Sequence, residues 1–393
     1  MAKPSILAAL LGVLFTPVVA AGPTAPVLNL RADATAEERV FDWERDRCER
    51  WDIPDAPARA FRDADGEVHL IAGNHRNRRA SGPTLGAIDH RCAPIYEAGG
   101  LDDPGAYDDR GWIASLFTRD GVRVEALIHM EYHGHRRPER CPAGDYMACW
   151  RNALVGVVST DGGDSFRVPE AGPRAVATLP YRYTGTAGER TGYFNPSNML
   201  RFDDHLYVYV YAEDLGAQER GVCLLRRPVD GGNADWRAFD GEGFDVAFAD
   251  PYEEAPQRPQ RHVCAPLAGV TATLSTVVRH EPSGRFVAVS PMTARDAYGR
   301  PRSGVYWRES ADLVHWSTPR LLLEAPLLWR HDCGEETVIA YPSLLDPESV
   351  SRNFDRIGDR AWLYLVRMRL HGCRASPDRD LVRVPVRVVD HVD

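Results

Sequence analysis

The sequence predicts an all-β protein, and within that class a five-bladed β-propeller, on three observations. An apolar or alternating run, a tight turn and a second apolar run recur along the 393 residues, which is the pattern of a β-hairpin. The turns at 65–66, 120–121, 203–204, 283–284 and 358–359 follow one another at intervals of 55, 83, 80 and 75 residues. Each interval holds about four short strands, as a propeller blade does. Helix signals are weak throughout, and a two-sheet sandwich, the alternative, seldom repeats a hairpin at such intervals.

The chain begins with a segment that predicts a cleaved export signal at 1–21, followed by a single propeller domain at 22–393. Lys3 precedes an apolar run from Ile6 to Val19 and then small residues. No linker rich in Ser, Gly or Pro divides the remainder, and no later segment approaches the roughly 20 apolar residues of a membrane-spanning helix. We therefore expect a secreted or periplasmic monomer that does not bind a membrane. The segment 35–51 predicts a short helix before the first blade.

Charge and cysteine content restrict the partners and the compartment. The formal net charge of -9 argues against nucleic acid as a partner, because phosphate binding requires a basic surface. The 8 cysteines match no zinc signature, and their even number favours disulfides in an oxidising compartment. Spacing alone leaves the connectivity open. In the predicted blades, both members of each of four cysteine pairs lie at the same face. We therefore predict disulfides between Cys48 and Cys92, Cys141 and Cys149, Cys223 and Cys264, and Cys333 and Cys373.

Two motifs support the fold assignment. Residues 152–166, NALVGVVSTDGGDSF, end in a pattern of Ser159, Asp161, Gly163 and Phe166. This pattern resembles the Asp box of sialidases and other propellers, in which the aspartate caps a turn between outer strands. Residues 304–323, GVYWRESADLVHWSTPRLLL, resemble an outer-strand segment of five-bladed glycosidases of the arabinanase, xylosidase and invertase families.

Ionisable side chains cluster where each second strand of a blade ends, at 73–79, 129–137, 211–214, 291–296 and 367–372. We call this end of the propeller the mouth. Alternation along blade two puts His129, Glu131, His133 and the following His135 on one face, as a wall of a polar pocket. The candidate substrate-binding residues are His75, Arg76, His129, His133, His135, Asn195, Asn198, Arg295, Arg367 and His371. Ligands two apart on a strand lie about 6–7 Å apart, which suits two of them on one ion better than four. We therefore predict no metal site and no cofactor.

The resemblance to five-bladed glycosidases implies a pair of catalytic carboxylates. In those enzymes an aspartate at the top of blade one is the base or nucleophile, and Asp55 matches that place, with Asp52 in reserve. The general acid is a glutamate in blade three, where this chain has Glu213, and Glu131 is a third carboxylate. The related enzymes carry an aspartate near the first strand of blade two, where this chain has Ser115. The resemblance implies an exported glycoside hydrolase that acts on a poly- or oligosaccharide.

Three other functions remain compatible with a polar mouth. A polysaccharide lyase acting on a uronate would use Tyr132, His133 or His135 as base or acid, with an arginine that neutralises the carboxylate. A sialidase-like exo-glycosidase would use arginines to clamp a carboxylate, and Arg59, Arg76, Arg367 and Arg369 are candidates. Sialidases of this kind have six blades, whereas the chain shows five hairpins. A non-catalytic sugar-binding propeller would show several similar pockets, whereas the five strand ends differ.

Overall fold

The computed structural model describes residues 28–390, and the predicted export signal at 1–21 lies outside them. Two strands and one short helix precede the first blade: β1 (Leu28–Ala32), β2 (Glu38–Phe41) and α1 (Trp43–Asp46). Blade one contains β3 (Arg59–Arg62), β4 (Val68–Ile71), β5 (Arg76–Thr84) and β6 (Ala87–Glu97). Blade two contains β7 (Arg110–Thr118), β8 (Val124–His133), β9 (Trp150–Ser159) and β10 (Ala175–Ala177).

The later blades follow the same antiparallel order. Blade three contains β11 (Thr191–Phe194), β12 (Leu200–Phe202), β13 (His205–Glu213), β14 (Gly221–Pro228) and β15 (Arg237–Ala238). Blade four contains β16 (Thr276–His280), β17 (Phe286–Arg295), β18 (Pro301–Ser310) and β19 (Arg320–Glu324). Blade five contains β20 (Thr337–Leu345), β22 (Arg360–His371) and β23 (Arg374–Asp390), and the intervening β21 (Arg356–Ile357) belongs to the sheet of blade four. Single-turn 3-10 helices lie at Ala34–Ala36, Pro104–Ala106, Gly134–Arg136, Asn233–Asp235 and Pro259–Arg261.

One buried side chain, that of Arg59 in blade one, contacts the innermost chain segment of each other blade. Its guanidinium donates to the carbonyls of Ala114 (2.6 Å), Pro196 (3.3 Å) and Ser275 (2.8 Å) and to the hydroxyl of Ser343 (3.3 Å). These residues belong in turn to blades two, three, four and five, so the blades surround a common axis. The chain is therefore a β-propeller. Burial lowers the pKa of Arg59 to about 9, and this arginine does not line the mouth.

Two asparagines join neighbouring blades near the axis. The amide of Asn77 in blade one accepts from the Ile113 backbone (2.7 Å) and donates to the Gly111 carbonyl (2.8 Å) in blade two. Asn198 contacts the backbone N–H and carbonyl of Val277 in blade four, both at 2.8 Å. Asn198 therefore satisfies buried backbone groups between blades three and four.

The N-terminal strand completes the last blade. β1 pairs antiparallel with β23, from Leu28 opposite Asp390 to Ala32 opposite Val386. Leu28 and Leu30 alternate into the apolar cluster of blades four and five, which holds β1 in place. The helix predicted at 35–51 is mostly wrong: α1 spans only four residues, and β2 pairs with β23 instead.

The first four predicted turns each connect the first and second strands of a blade, as expected. The fifth prediction is wrong in its pairing. β22 follows the turn at 358–359 but pairs with β20, and the segment just before the turn is β21, which pairs parallel with β16 of blade four. Residues 356–357 do form a strand, as the sequence predicts, but this strand belongs to the sheet of blade four.

The Asp box and the disulfides lie where the sequence predicts them. The Asp161 carboxylate accepts from the backbone N–H (3.0 Å) and hydroxyl (2.6 Å) of Ser165, and Phe166 is buried beneath the turn. The four disulfides join Cys48 to Cys92, Cys141 to Cys149, Cys223 to Cys264 and Cys333 to Cys373, which confirms the predicted connectivity. Across residues 28–390, no helix has the length and apolar character needed to cross a bilayer.

Candidate active site

Blades two and three form one continuous sheet, because β9 pairs parallel with β11. Strand register therefore places several polar residues in a single row across five strands. Glu131 lies opposite Arg110 on one side and Asn152 on the other. Asn152 pairs with Gly192, which in turn lies opposite Glu213. The row brings Glu131 and Glu213, which are far apart in the chain, to the same level of the mouth.

Gly192 permits this close approach of the two blades. Its φ is +110°, and a Cβ at this position would lie 2.0 Å from the carbonyl oxygen of Asn152. Any other residue would therefore push β11 away from β9. The glycine sets the spacing between the walls that carry Glu131 and Glu213.

Glu131 is buried among histidines, as alternation along β8 predicts. Its Oε2 lies 2.6 Å from Nε2 of His133, and its Oε1 lies 3.8 Å from Nε2 of His129. The other contact of His129 Nε2 is Asn152 Oδ1, at 3.0 Å. Only 8% of Glu131 is exposed, and burial raises the pKa of its carboxyl to about 7.

The histidines beside Glu131 are held neutral near pH 7. Burial, followed by the charge of Arg110, lowers the pKa of His133 to about 4. Burial also lowers the pKa of His129. Because both partners resist protonation, the acidic proton of this cluster resides on Glu131 or is shared in its short contact with His133.

Asp55 faces the same space from blade one. Its Oδ1 forms an ion pair with the guanidinium of Arg379 on β23 and accepts from the hydroxyl of Tyr341 (3.3 Å). Tyr341 has a φ of +56° and lies at an irregularity of β20, which turns its side chain toward Asp55. The negative charge of Asp55 is one of the causes that raise the pKa of Glu131, so the two carboxyl groups lie near each other. Asp52, the reserve candidate, is instead bound to His90 (2.8 Å) and the backbone of Cys48 (2.9 Å), as a loop cap.

Glu213 is bound by two arginines. Its Oε1 lies 2.7 Å from Nη2 of Arg190, and its Oε2 lies 3.2 Å from Nε of Arg220. The Arg190 guanidinium also stacks over the rings of Phe194 (3.9 Å) and Trp150 (4.7 Å). The charge of Arg190 also lowers the pKa of Glu131, so this cation acts electrostatically on both glutamates.

Two further predicted histidines join this group. The His75 ring lies 5.6 Å from the ring of Trp112, and burial, followed by Arg110, lowers the pKa of His75 to about 4. The His135 ring lies 5.4 Å from that of His133 and 4.8 Å from that of Tyr146. Both histidines therefore lie within the aromatic wall of the mouth.

Other predicted residues have contacts elsewhere. Arg76 pairs with Glu49 (3.0 Å) and Glu97 (3.3 Å), and Arg367 pairs with Glu37. Arg295 is exposed and donates to the Gly299 carbonyl, and His371 is exposed beyond the pocket. Asn198 joins two blades as described, and Asn195 is a left-handed turn residue with a φ of +49°. Arg295 and His371 lie outside the pocket because β17–β18 and β22–β23 extend past the mouth as two-stranded ribbons.

Sequence reasoning missed several residues that complete the site: Arg110, Asn152, Arg190, Tyr146, Trp150 and Arg379. Most lie on first or third strands or in loops, whereas most of the predicted site residues lie at the ends of second strands. The signal that was present is cross-strand pairing. Arg110 and Asn152 are the register partners of Glu131, which could have been read once β7, β8 and β9 were aligned.

Among residues 28–390, two groups of side chains have donor atoms close enough to share an ion. Cys48, Asp52 and His90 form one group, but Cys48 is in a disulfide. Asp63, Glu67 and His69 form the other, at the blade-one turn remote from the mouth. The absence of a metal from the mechanism stays a prediction.

Comparison with known proteins finds similarity in solved structures. No protein-family model and no curated protein matches the chain. The catalytic domain of the Coprinopsis cinerea GH62 alpha-L-arabinofuranosidase aligns with 92% of this chain and 97% of its own, at 8% identity and a TM-score of 0.47. A glycosyl hydrolase from Bacteroides ovatus aligns with 93% of this chain and 94% of its own, at 10% identity and a TM-score of 0.46.

The alpha-L-arabinanase of Cellvibrio cellulosa aligns with 87% of this chain and 93% of its own, at 11% identity and a TM-score of 0.43. These scores all lie below 0.5. The fold assignment therefore depends on the strand pairing described above, and the chemistry depends on the side chains at the mouth.

Proposed function

We propose that the protein is an exported glycoside hydrolase that cleaves a poly- or oligosaccharide at the mouth. The observation that carries this proposal is a pair of carboxyl groups in unlike surroundings. Glu131 is buried, with its pKa raised to about 7, whereas Asp55 is partly exposed and paired with Arg379. Glycoside hydrolysis needs one protonated and one ionised carboxyl group on opposite sides of the sugar bond.

In this mechanism Glu131 is the general acid. It donates its proton to the glycosidic oxygen as the bond to the leaving group breaks, and His133 Nε2 holds the carboxyl in place at 2.6 Å. Asp55, oriented by Arg379 and Tyr341, either activates water or attacks the sugar. Arg190 stabilises the Glu131 carboxylate formed after proton transfer.

Glu213 takes a different role in this proposal from the acid role that the family resemblance implies. Both oxygens of this carboxylate are engaged by Arg190 and Arg220, so the geometry suits Glu213 to holding these arginines in place. We assign Glu213 the role of holding Arg190 in place, where the charge of Arg190 acts on Glu131. The imidazole rings of His75, His129 and His133, whose pKa values are lowered by burial, supply hydrogen bonds to sugar hydroxyls.

Export and the monomeric state belong to the same proposal. Four disulfides are typical of a protein that matures in an oxidising compartment, outside the cell or in a periplasm. Sedimentation of the purified mature chain tests the monomer, and N-terminal sequencing of the protein recovered from a producing culture tests removal of 1–21.

Product analysis tests the chemistry. The protein is incubated with plant, algal and bacterial glycans, and new reducing ends are measured together with ultraviolet absorbance from unsaturated uronates. Hydrolysis yields reducing ends without that absorbance. An absorbing product would instead assign the mouth to a lyase, and stoichiometric binding without any product would assign it to a non-catalytic sugar-binding protein.

A further inference from the structure

We propose that the glycan bound at the mouth is acidic, with a sugar carboxylate such as that of a hexuronate, and that Arg110 binds this carboxylate. The inference rests on the proposed function, which places the cleaved glycosidic bond between Glu131 and Asp55. It adds the chemical class of the substrate, which these two carboxyl groups do not determine.

Arg110 occupies a defined place beside the proposed acid. It is the first residue of β7 and lies directly opposite Glu131 on β8. Residues paired in this way on antiparallel strands project to the same face, with Cβ atoms about 5 Å apart. The charge of Arg110 acts on both His133 and His75, so its guanidinium lies within the mouth.

Four other arginines of this region have acidic partners. Arg379 pairs with Asp55, Arg190 with Glu213, and Arg220 with Asp214, Glu189 and Glu213. Arg137 binds both oxygens of Asp109, the chain neighbour of Arg110, at 2.9 Å each. That carboxylate is therefore already satisfied.

Arg110 differs from these four, and the exposed Arg136 likewise has no ion pair or side-chain hydrogen bond among residues 28–390. Over this described part of the chain, the guanidinium of Arg110 has neither an ion pair nor a hydrogen bond. The acid opposite it, Glu131, is engaged by His133. A half-buried cation without a counter-ion loses hydration and gains nothing in return until a ligand supplies the negative charge. Burial, followed by the like charge of Arg136, lowers the pKa of Arg110, and the charges of Asp109 and Glu131 offset only part of this shift.

The charge balance of the mouth also favours an anion. When Glu131 is protonated, Asp55 and Glu213 offset the charges of Arg379 and Arg190, and Asp214 and Glu189 offset the charge of Arg220, so the charge of Arg110 is left without a counter-ion. This excess of positive charge occurs in a chain whose net charge is -9. Local positive charge in an acidic protein raises the local concentration of anionic ligands. A planar guanidinium matches the two oxygens of a carboxylate, and one free arginine neutralises one such group.

Binding measurements test the inference. Calorimetry is performed on the Glu131→Gln variant, which slows turnover and leaves the pair of Asp55 and Arg379 intact, with three ligands of equal length: a uronate oligosaccharide, the same oligosaccharide with its carboxyl groups reduced to alcohols, and a sulfated neutral oligosaccharide. We expect carboxyl reduction to weaken binding at least tenfold. Adding Arg110→Gln should remove this difference, and Arg110→Lys should restore part of it. Adding Arg31→Gln, which removes an exposed arginine of β1, should leave the difference intact.

The outcomes separate this inference from the proposed hydrolase activity. Equal binding of the acidic and reduced oligosaccharides, a preference for the sulfated ligand, or an unchanged preference in Arg110→Gln would each overturn the role of Arg110. Hydrolysis of neutral glycans without uronate binding would overturn only the substrate class. Uronate binding that depends on Arg110, without new reducing ends from the wild-type protein, would overturn the hydrolase and leave the inference standing. Thermal unfolding of each variant checks that it is folded.

Discussion

At the level of single residues, Glu131 has the most unusual environment of the proposed catalytic groups. It has two histidine neighbours, yet burial keeps all three side chains from carrying charge easily. A carboxyl group with a pKa of about 7 is roughly half protonated at neutral pH and releases its proton readily, which suits it to general acid catalysis.

Replacing Glu131 by Gln should lower kcat by about 10²- to 10⁴-fold, because Gln retains the size and hydrogen bonding of Glu but has no acidic proton. Steady-state kinetics on the glycan identified by product analysis measures this loss. Glu125→Gln is the matched control, since Glu125 lies on the same strand at the opposite end and pairs with Arg227. Near-normal turnover in Glu131→Gln would remove Glu131 from the mechanism.

The raised pKa of Glu131 predicts the pH profile. Only the protonated form can act as an acid, so kcat/KM should be high below pH 7 and fall about tenfold per unit above it. The fall should disappear for an aryl glycoside whose leaving group departs without protonation. A profile that stays flat to pH 9 on the natural glycan would contradict the assignment of Glu131 as the acid.

The same pKa predicts a pH-dependent stability. Burial raises the pKa of folded Glu131 above its unfolded value of about 4.5, so its stabilising contribution is complete below about pH 4.5 and is lost as pH rises through about 7. Glu131→Gln does not titrate. At pH 8 it should therefore exceed the wild type in free energy of unfolding by roughly 1–3 kcal/mol, and at pH 4.5 this gain should vanish. Denaturant titrations at the two pH values measure the difference, and a gain independent of pH would point to a cause other than ionisation.

At the level of elements, the parallel contact between β9 and β11 brings the walls of blades two and three together. Antiparallel pairing within each blade is local, whereas this contact joins strands separated by a long loop. The polar row across the mouth therefore depends on one close backbone approach at Gly192.

Gly192→Ala should weaken both folding and catalysis, because the added Cβ meets the Asn152 carbonyl and the φ of +110° disfavours an L-residue. We expect a loss of roughly 2–4 kcal/mol in unfolding free energy and a fall in kcat of at least tenfold. Gly188→Ala is the control, since Gly188 also has a positive φ, +81°, but nothing lies within 4 Å of its Cβ. Equal effects of the two substitutions would show that backbone strain alone, and not the blade contact, is responsible.

At the level of the whole molecule, Arg59 holds the ring together at its axis. Its guanidinium satisfies oxygen atoms from four other blades, and burial makes those oxygens unable to bind water when the side chain is removed. β1 closes the ring from outside, by pairing the start of the described chain with its end.

Arg59→Ala should destabilise the protein by at least about 3 kcal/mol, because it leaves a cavity and several unsatisfied oxygens in one place. Arg308→Ala is the control: Arg308 is also buried, but it donates to the single carbonyl of Gly269 (3.1 Å). Chemical denaturation of both variants measures the contrast. Similar losses would mean that the contacts with other blades add little to the stability of the ring.

Local patterns in the chain were sufficient for the strand content, four of the five turns, the disulfide pairs and the grouping of His129, Glu131 and His133. Each of these depends on residues within one strand or one blade, where a period of two and tight turns determine direction. The partners of the catalytic candidates depend on register between strands and on contacts between blades. Arg379 reaches Asp55 across 324 positions of sequence, and β21 pairs with a neighbouring blade. Such contacts are selected by burial and packing of the complete ring, which no local sequence pattern records.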